Sequence, residues 1–363
     1  MPLQEDFKRR LEQVLGAPTA PFREGLVHRV IRDAASASRR LRLREDAWGN
    51  LEVVYGRGRP RLLFACHTDH PALEANGDGT ATIVGGIRPA ALKGAGLRLL
   101  DGDGSVAARA GATVKGRAGV VRLRGGRGLA KGTPLVLDMP GVRISKTRVR
   151  ARAIDDGCAV AACLAMFDRL EAARWRGCVG ALFTRAEEVG FAGALGWTRT
   201  TKTPRSTTVV NLEMSNARPH TPQGKGPILR VGDRMSIFDR DVAAELEHAA
   251  KALAGKDGSF RWQRALMDGG ACEATVYAWS GFRTGALCLP LKNYHNHAAR
   301  GGVGMEYVHA DDAENLVRWM VAYARAFGSA PVARTIAKAM DKRWRGHRPK
   351  LKRTARRAGE GRV

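Results

Sequence analysis

An α/β protein interrupted by an all-β insertion is what the sequence predicts, and three observations predict it. Short continuous apolar runs such as Leu62–Cys66 read as strands buried on both faces, as in sheets covered by helices. Segments of helical period, among them 158–172, 239–254 and 310–327, alternate with such runs. Between residues 72 and 150 the helical period disappears, and Gly, Val, Thr and Arg dominate. An all-β stretch set inside an α/β pattern is how an inserted domain reads in sequence.

The elements follow in order. Residues 4–44 carry spaced apolar positions (Phe7, Leu11, Val14, Leu26, Val30) among charges, which predicts one or two amphipathic helices. EDAWGNLEVVYGRGRPRLLFACHTDH reads as two strands joined by a Gly/Arg/Pro turn. The runs ATIVGGI, SVAARAG and GVVRLRG predict short strands with glycine turns, a small β-barrel or β-sandwich. CAVAACLAMFDRLEA predicts a helix; GCVGALFTRAEEVGFAGALGW a buried strand, an acidic turn and a helix; TTVVNLEMS and GALCLPL two further strands. ADDAENLVRWMVAYARAF predicts a long helix with Asp311 and Asp312 at its N-terminus, the favourable end for negative charge. From Ser329 onward the chain is polar and basic, predicting a short helix at most and then disorder. The expected organisation is a catalytic unit of residues 1–71 plus 151–328, a β insertion of 72–150, and a tail of 329–363.

The chain has 363 residues, 44% of them hydrophobic and 26% charged, which suits a folded protein and excludes wholesale disorder. No apolar run approaches the ~18–20 residues that span a bilayer, and the N-terminus lacks the pattern of a secretory signal. A cytoplasmic protein with no membrane partner is expected. Six cysteines without a C-x-x-C pair are read as reduced, buried thiols. The net charge of +26 points to a polyanion partner when taken alone. It is concentrated: residues 72–150 carry +9 and 329–363 carry +10. Nucleic acid is therefore expected, if at all, through the basic tail.

Acidic and histidine clusters fall at the ends of the predicted strands, where open α/β sheets place their sites. They are His67-Thr68-Asp69-His70, Asp155-Asp156, Glu187-Glu188, Glu213 and Tyr294-His295-Asn296-His297. Each has a bland reading: a surface hydrogen bond, an N-cap, a solvated turn. Together they match the inventory of a two-metal hydrolase. A pair of divalent ions ~3.5–4 Å apart needs a bridging carboxylate and a few His or carboxylate ligands. One carboxylate must be left over as general base. Imidazole and carboxylate donors suit zinc, and also cobalt or manganese.

D-x-x-G-N at Asp46–Asn50, FACHTDH, AIDDGCAV, FTRAEEVGFAGA, VNLEMS, MDGGACEA and LPLKNYHNHA occur in this order over residues 40–325. In these motifs the chain resembles the glutamyl or deblocking (endoglucanase-like) aminopeptidases, metallopeptidase family forty-two, of the co-catalytic zinc aminopeptidase clan. The resemblance implies a three-layer α/β/α catalytic domain with a mixed sheet and an inserted small β-barrel. It implies a two-metal aminopeptidase acting on peptides, and a homo-oligomer assembled through the insertion. By the same resemblance His67 and Glu213 bind one metal, Glu188 and His295 the other, and Asp155 bridges both. Asp69 orients His67, and Glu187 is the general base. His295 is preferred to His297 because the family histidine lies five residues after a proline, here Pro290. The chain departs from the family at Thr68, at His70, and at Ala271-Cys272-Glu273-Ala274. The competing readings are a deacylase or amidohydrolase of the same clan acting on N-acyl amino acids or small amides, and a polyanion-binding protein.

Overall fold

The structure is a computed structural model that describes residues 2–100, 106–113, 119–328 and 332–359. Two helices, α1 (Glu5–Gly16) and α2 (Gly25–Ser36), lead into strands β1 (Leu41–Glu45), β2 (Leu51–Tyr55) and β3 (Leu62–His67). Six strands follow: β4 (Ala72–Ala75), β5 (Thr80–Val84), β6 (Gly96–Leu99), β7 (Val106–Thr113), β8 (Val120–Arg124) and β9 (Pro134–Leu137). Then come β10 (Arg143–Ile144), β11 (Arg148–Ala151), α3 (Ile154–Ala172), β12 (Val179–Thr184), α4 (Ala192–Thr200), β13 (Thr208–Asn216) and β14 (Ile228–Arg230). The chain continues through α5 (Arg240–Lys256), β15 (Gln263–Ala265), α6 (Glu273–Trp279), β16 (Arg283–Leu291), β17 (Glu306–His309), α7 (Ala310–Ala326) and α8 (Val332–Gly359).

The main sheet has eight strands in the order β1-β2-β12-β3-β13-β16-β14-β15. Its centre, β12-β3-β13-β16, is parallel, while β2 and β14 join it antiparallel. Alternate side chains of each central strand face opposite layers. Leu62, Phe64, Cys66, Val210 and Leu212 join the core beneath α1, α2, α3, α5 and α7. Leu63, Ala65, Leu182 and Val209 face the other way, onto Trp197 of α4 and Tyr277 of α6. This is the expected three-layer mixed α/β arrangement. The two strands expected on either side of the Gly/Arg/Pro turn are β2 and β3, and β12 lies between them in the sheet. The strand β1 was not separated from the helical N-terminal segment by its pattern, because it lies at the sheet edge with only partly buried side chains.

Strands β4-β5-β8-β7-β6-β9 close into an antiparallel barrel around Leu73, Ala81, Leu97, Val121, Leu135 and Leu137. Closure removes every edge strand, which a six-stranded ribbon of short strands would otherwise expose. The barrel ends before the segment expected to belong to it does: β10 pairs with β11, and β11 with β17, in a separate three-stranded sheet. The reason is burial, since Val149 and Ala151 point into the α/β core. The tail differs as well. Where disorder was expected, Val332–Gly359 forms the helix α8. Its run of Ala, Lys, Arg and Met has high intrinsic helix propensity, which needs no buried face to act. The calls on residues 329–331 and 360–363 lie outside the described residues. Among the described residues, no helix is long and apolar enough to cross a membrane.

Candidate metal centre

Around the C-terminal ends of the parallel strands lies one buried cluster of histidines and carboxylates. His67 is the last residue of β3 and is almost fully buried. Its Nε2 lies 3.3 Å from Asp155 Oδ1 and 3.9 Å from both Glu187 Oε2 and Glu213 Oε1. Its Nδ1 lies 3.2 Å from the Asp69 carbonyl and 3.4 Å from Asp69 Oδ1. On the far side of Asp155, His295 Nε2 is 3.8 Å from Asp155 Oδ2 and 3.2 Å from Glu188 Oε2. Donor atoms of His67, Asp155 and Glu213 lie within 4.8 Å of one another, and so do those of Asp155, Glu188 and His295. The two groups meet at Asp155. A third grouping joins His67, Glu187 and Glu188, so Glu187 stands beside the two triads without belonging to either.

All seven candidate side chains are thus brought to one place, and His297 is not among them. Its Nε2 accepts the backbone N–H of Arg88 at 2.9 Å. His70 is buried and spans the Asp155 carbonyl (2.7 Å) and the Asn296 side chain (3.0 Å). Burial, helped by Arg152, lowers its pKa to about 3, so it is a neutral strut. Glu273 lies under the site, accepting from Thr184 Oγ1 at 2.8 Å and Tyr277 OH at 3.1 Å. Burial pushes its pKa up to about 7.

Carboxylates that touch backbone amides fix the loops. Asp69 accepts the N–H of Glu187 at 3.0 Å and that of Glu188 at 3.1 Å, a second task beside its contact with His67. Glu24 accepts the Ala186 N–H and the Arg185 Nε–H. The D-x-x-G-N motif acts here too: the Asn50 side chain accepts from Arg185 N and donates to the Gly193 carbonyl. A side chain at Gly193 would collide with the Arg185 backbone, 2.4 Å from its Cβ position, so this close approach requires glycine. Glu306, fully buried on β17, accepts the N–H of Asp155 at 3.0 Å and that of His295 at 2.8 Å. Sequence reasoning missed Glu306: a lone Glu in a short strand carries no spacing signal.

The barrel also reaches the site. The Gly86 carbonyl lies 3.1 Å from His295 Nδ1. A Cβ at Gly86 would stand 2.2 Å from that same atom.

The electrostatics are those of a site short of positive charge. Burial opposes a charge on His295, yet Glu188 and Asp155 raise its pKa to about 10. His67 is likewise raised, against burial, by Glu187, Asp155, Asp69 and Glu213. Burial, reinforced by the neighbouring Glu213, raises the Glu187 carboxyl, although His67 pulls it down. Asp155 Oδ1, Glu188 Oε1 and His295 Nε2 are buried without a hydrogen-bond partner. Buried polar atoms are normally satisfied, and all three belong to residues of the two triads. Divalent cations fit this donor set: it offers only imidazole and carboxylate, it is rich in negative charge, and several of its buried atoms lack a hydrogen-bond partner.

The profile of the M42 glutamyl aminopeptidase family matches residues 126–318. No curated protein matches the sequence. Among solved structures, a TET aminopeptidase from the marine sediment archaeon Thaumarchaeota archaeon SCGC AB-539-E09 superposes with a TM-score of 0.75 at 19% identity, covering 88% of this chain and 96% of that one. The Pyrococcus horikoshii TET1 peptidase, which can assemble into a tetrahedron or a large octahedral shell, superposes at 0.72 with 23% identity, covering 88% and 99%. An aminopeptidase from the archaeon Desulfurococcus kamchatkensis gives 0.70 at 18%, covering 88% and 94%. These likenesses concern the fold, and all are aminopeptidases or peptidases by description.

Proposed function

The chain belongs to the M42 glutamyl aminopeptidase family, and from that premise we propose a two-metal aminopeptidase whose site is the pocket at the ends of the parallel strands. The observation that carries the reading is the pair of donor triads meeting at Asp155, each with buried atoms that have no hydrogen-bond partner. His67 and Glu213 would hold one cation, Glu188 and His295 the other, and Asp155 both. When bound, such a pair acidifies a water and polarises a scissile carbonyl. Zinc suits these donors, with cobalt or manganese as close alternatives.

The chain's own residues do the rest. Glu187 takes the proton of the attacking water on its carboxylate and passes it to the leaving amine. Asp69 keeps Glu187 and Glu188 in place through their backbone amides while steadying His67. Glu306 does the same for Asp155 and His295. The surrounding carboxylates favour a substrate with a free, positively charged N-terminus. By analogy with the TET assemblies, the chain is expected to form a homo-oligomer through its barrel. The test is purification with metal analysis, followed by turnover on aminoacyl chromogenic substrates and on N-acyl amino acids in parallel. Hydrolysis of the free-amino substrates with two metals per chain supports the reading. Activity confined to N-acyl compounds overturns it in favour of a deacylase.

A further inference from the structure

The helix α8 lies beyond the part of the chain that matches the family, which ends at residue 318, and the catalytic reading gives it no task. Over Val332–Gly359 it carries eleven Lys or Arg and one acid, Asp341. At about 100° per residue, Met340, Trp344 and Leu351 fall within one narrow sector, bordered on one side by Ala337 and Ala355 and on the other by His347 and Thr354. They are exposed by 48%, 56% and 54%, so the body of the protein does not cover them. Lys338, Lys342, Arg345 and Arg353 occupy the opposite side, while Arg348 and Lys350 flank the apolar sector. Among the described residues, no carboxylate pairs with these cations.

We propose that α8 is a docking helix for the surface of an anionic lipid bilayer. A helix with a separate apolar stripe and basic flanks lies in the interface plane, with its apolar side chains among the acyl chains and its cations at the headgroups. Arg348 and Lys350 are placed to snorkel, their stems beside the stripe and their charges in the headgroup layer. Trp344, at the middle of the stripe, has the amphipathic ring that favours this depth. Binding of this kind needs no spanning segment, so it is compatible with the lack, among the described residues, of an apolar helix long enough to cross. It revises the expectation, drawn from that lack, that no membrane is involved.

Other occupants satisfy only half of the pattern. Nucleic acid would engage the cations and leave Met340, Trp344 and Leu351 in water. A second copy would cover the stripe but bring two strongly basic helices together at a steep electrostatic cost.

The test uses the full chain and vesicles of phosphatidylcholine, either pure or mixed equally with phosphatidylglycerol, read by co-sedimentation. Two variants accompany it: Met340→Ser/Trp344→Ser/Leu351→Ser, and Lys342→Glu/Arg345→Glu/Arg353→Glu. Both lie on an exposed helix, and wild-type elution volume and helical signal verify their fold. The wild type should pellet with the anionic vesicles and not with pure phosphatidylcholine. Each variant should weaken that binding about tenfold or more, since binding strength sums buried apolar area and headgroup attraction. Failure of the wild type to bind anionic vesicles overturns the proposal. So does binding that the serine variant leaves unchanged, or release of the protein from vesicles by duplex DNA at equal phosphate. Concentration-dependent self-association that the serine variant abolishes, with no vesicle binding, would assign the stripe to a second copy instead.

Discussion

His67 ends a strand at the centre of the sheet and Glu213 lies within β13, whereas Glu188 and His295 sit on loops. In the first half of the donor set, position follows from strand register: β3 is bonded on both sides, to β12 and β13. In the second half the backbone is left-handed at and around the donors, with Ala186, Asn293, His295 and Asn296 all at positive φ. Non-glycine residues occupy that region only when their surroundings impose it. Here the imposing groups are Asp69 and Glu306, each accepting two amides, and Gly86 of the barrel. The same chemical task is thus met once by a rigid sheet and once by loops tied down by buried carboxylates. The second half depends on the insertion; the first does not.

The largest expected effect tests what stands outside both halves. Glu187→Gln should lower turnover by roughly 10²–10⁴-fold, the range for loss of a general base, with metal content unchanged by elemental analysis. Near-wild-type turnover would remove Glu187 from its role. Next, His67→Ala and His295→Ala should each lose about one of two metals, with activity, because each removes a donor from a different triad. Full two-metal occupancy in either variant would break the division into halves. Gly86→Ala should act on the second half alone. The added methyl group forces His295 aside at about 1–3 kcal/mol, weakening metal affinity about 10–100-fold in a chelator titration; an unchanged titration would free the site from the barrel.

A smaller effect probes the first half. His28, buried on α2 with its Nε2 3.1 Å from Thr68 Oγ1, has its pKa lowered to about 4 by burial and then by Arg185. A histidine kept neutral in the folded state contributes fully above its unfolded value near 6.5. Protons then favour the unfolded chain, and the contribution fades as the pH falls toward 4. From pH 8 to pH 5 this costs about 2 kcal/mol, measurable by denaturant unfolding, and His28→Gln should flatten that part of the profile. The smallest effect is none: removing residues 331–363 should leave turnover within about twofold, since that helix supplies no donor and its exposed face packs on nothing. Loss of activity in a folded truncation would tie α8 to the site.

What was legible in the sequence was what periodicity and residue type encode. Buried parallel strands read as apolar runs, and donors at their ends read as His, Asp and Glu directly after them, so His67, Glu187, Glu188 and Glu213 could be placed together. The barrel read as glycine-punctuated short strands. Partners set by the tertiary fold were not legible. Nothing in GMEYVH marks Glu306 as the group beneath Asp155 and His295. Nothing near Gly86 announces a ring 2.2 Å from its Cβ position. The insertion of β12 between β2 and β3 is a non-local pairing that a local turn signal does not encode. The helix α8 was missed for the opposite reason: a reading tuned to buried faces passes over a helix whose apolar stripe faces outward.

The donors are also spread along the chain in a way that matters during synthesis. His67 leaves the ribosome before Asp155, Glu188 and Glu213, and His295 after them, followed by Glu306. Chains fold as they emerge, N-terminal parts first. An incomplete chain therefore holds at most one half of the centre, and the second half closes only after β16 and β17 have joined their sheets. On the proposed donor assignment, hydrolytic competence arrives only once His295 is in place, so a fragment truncated before residue 295 would not act as a peptidase on its neighbours.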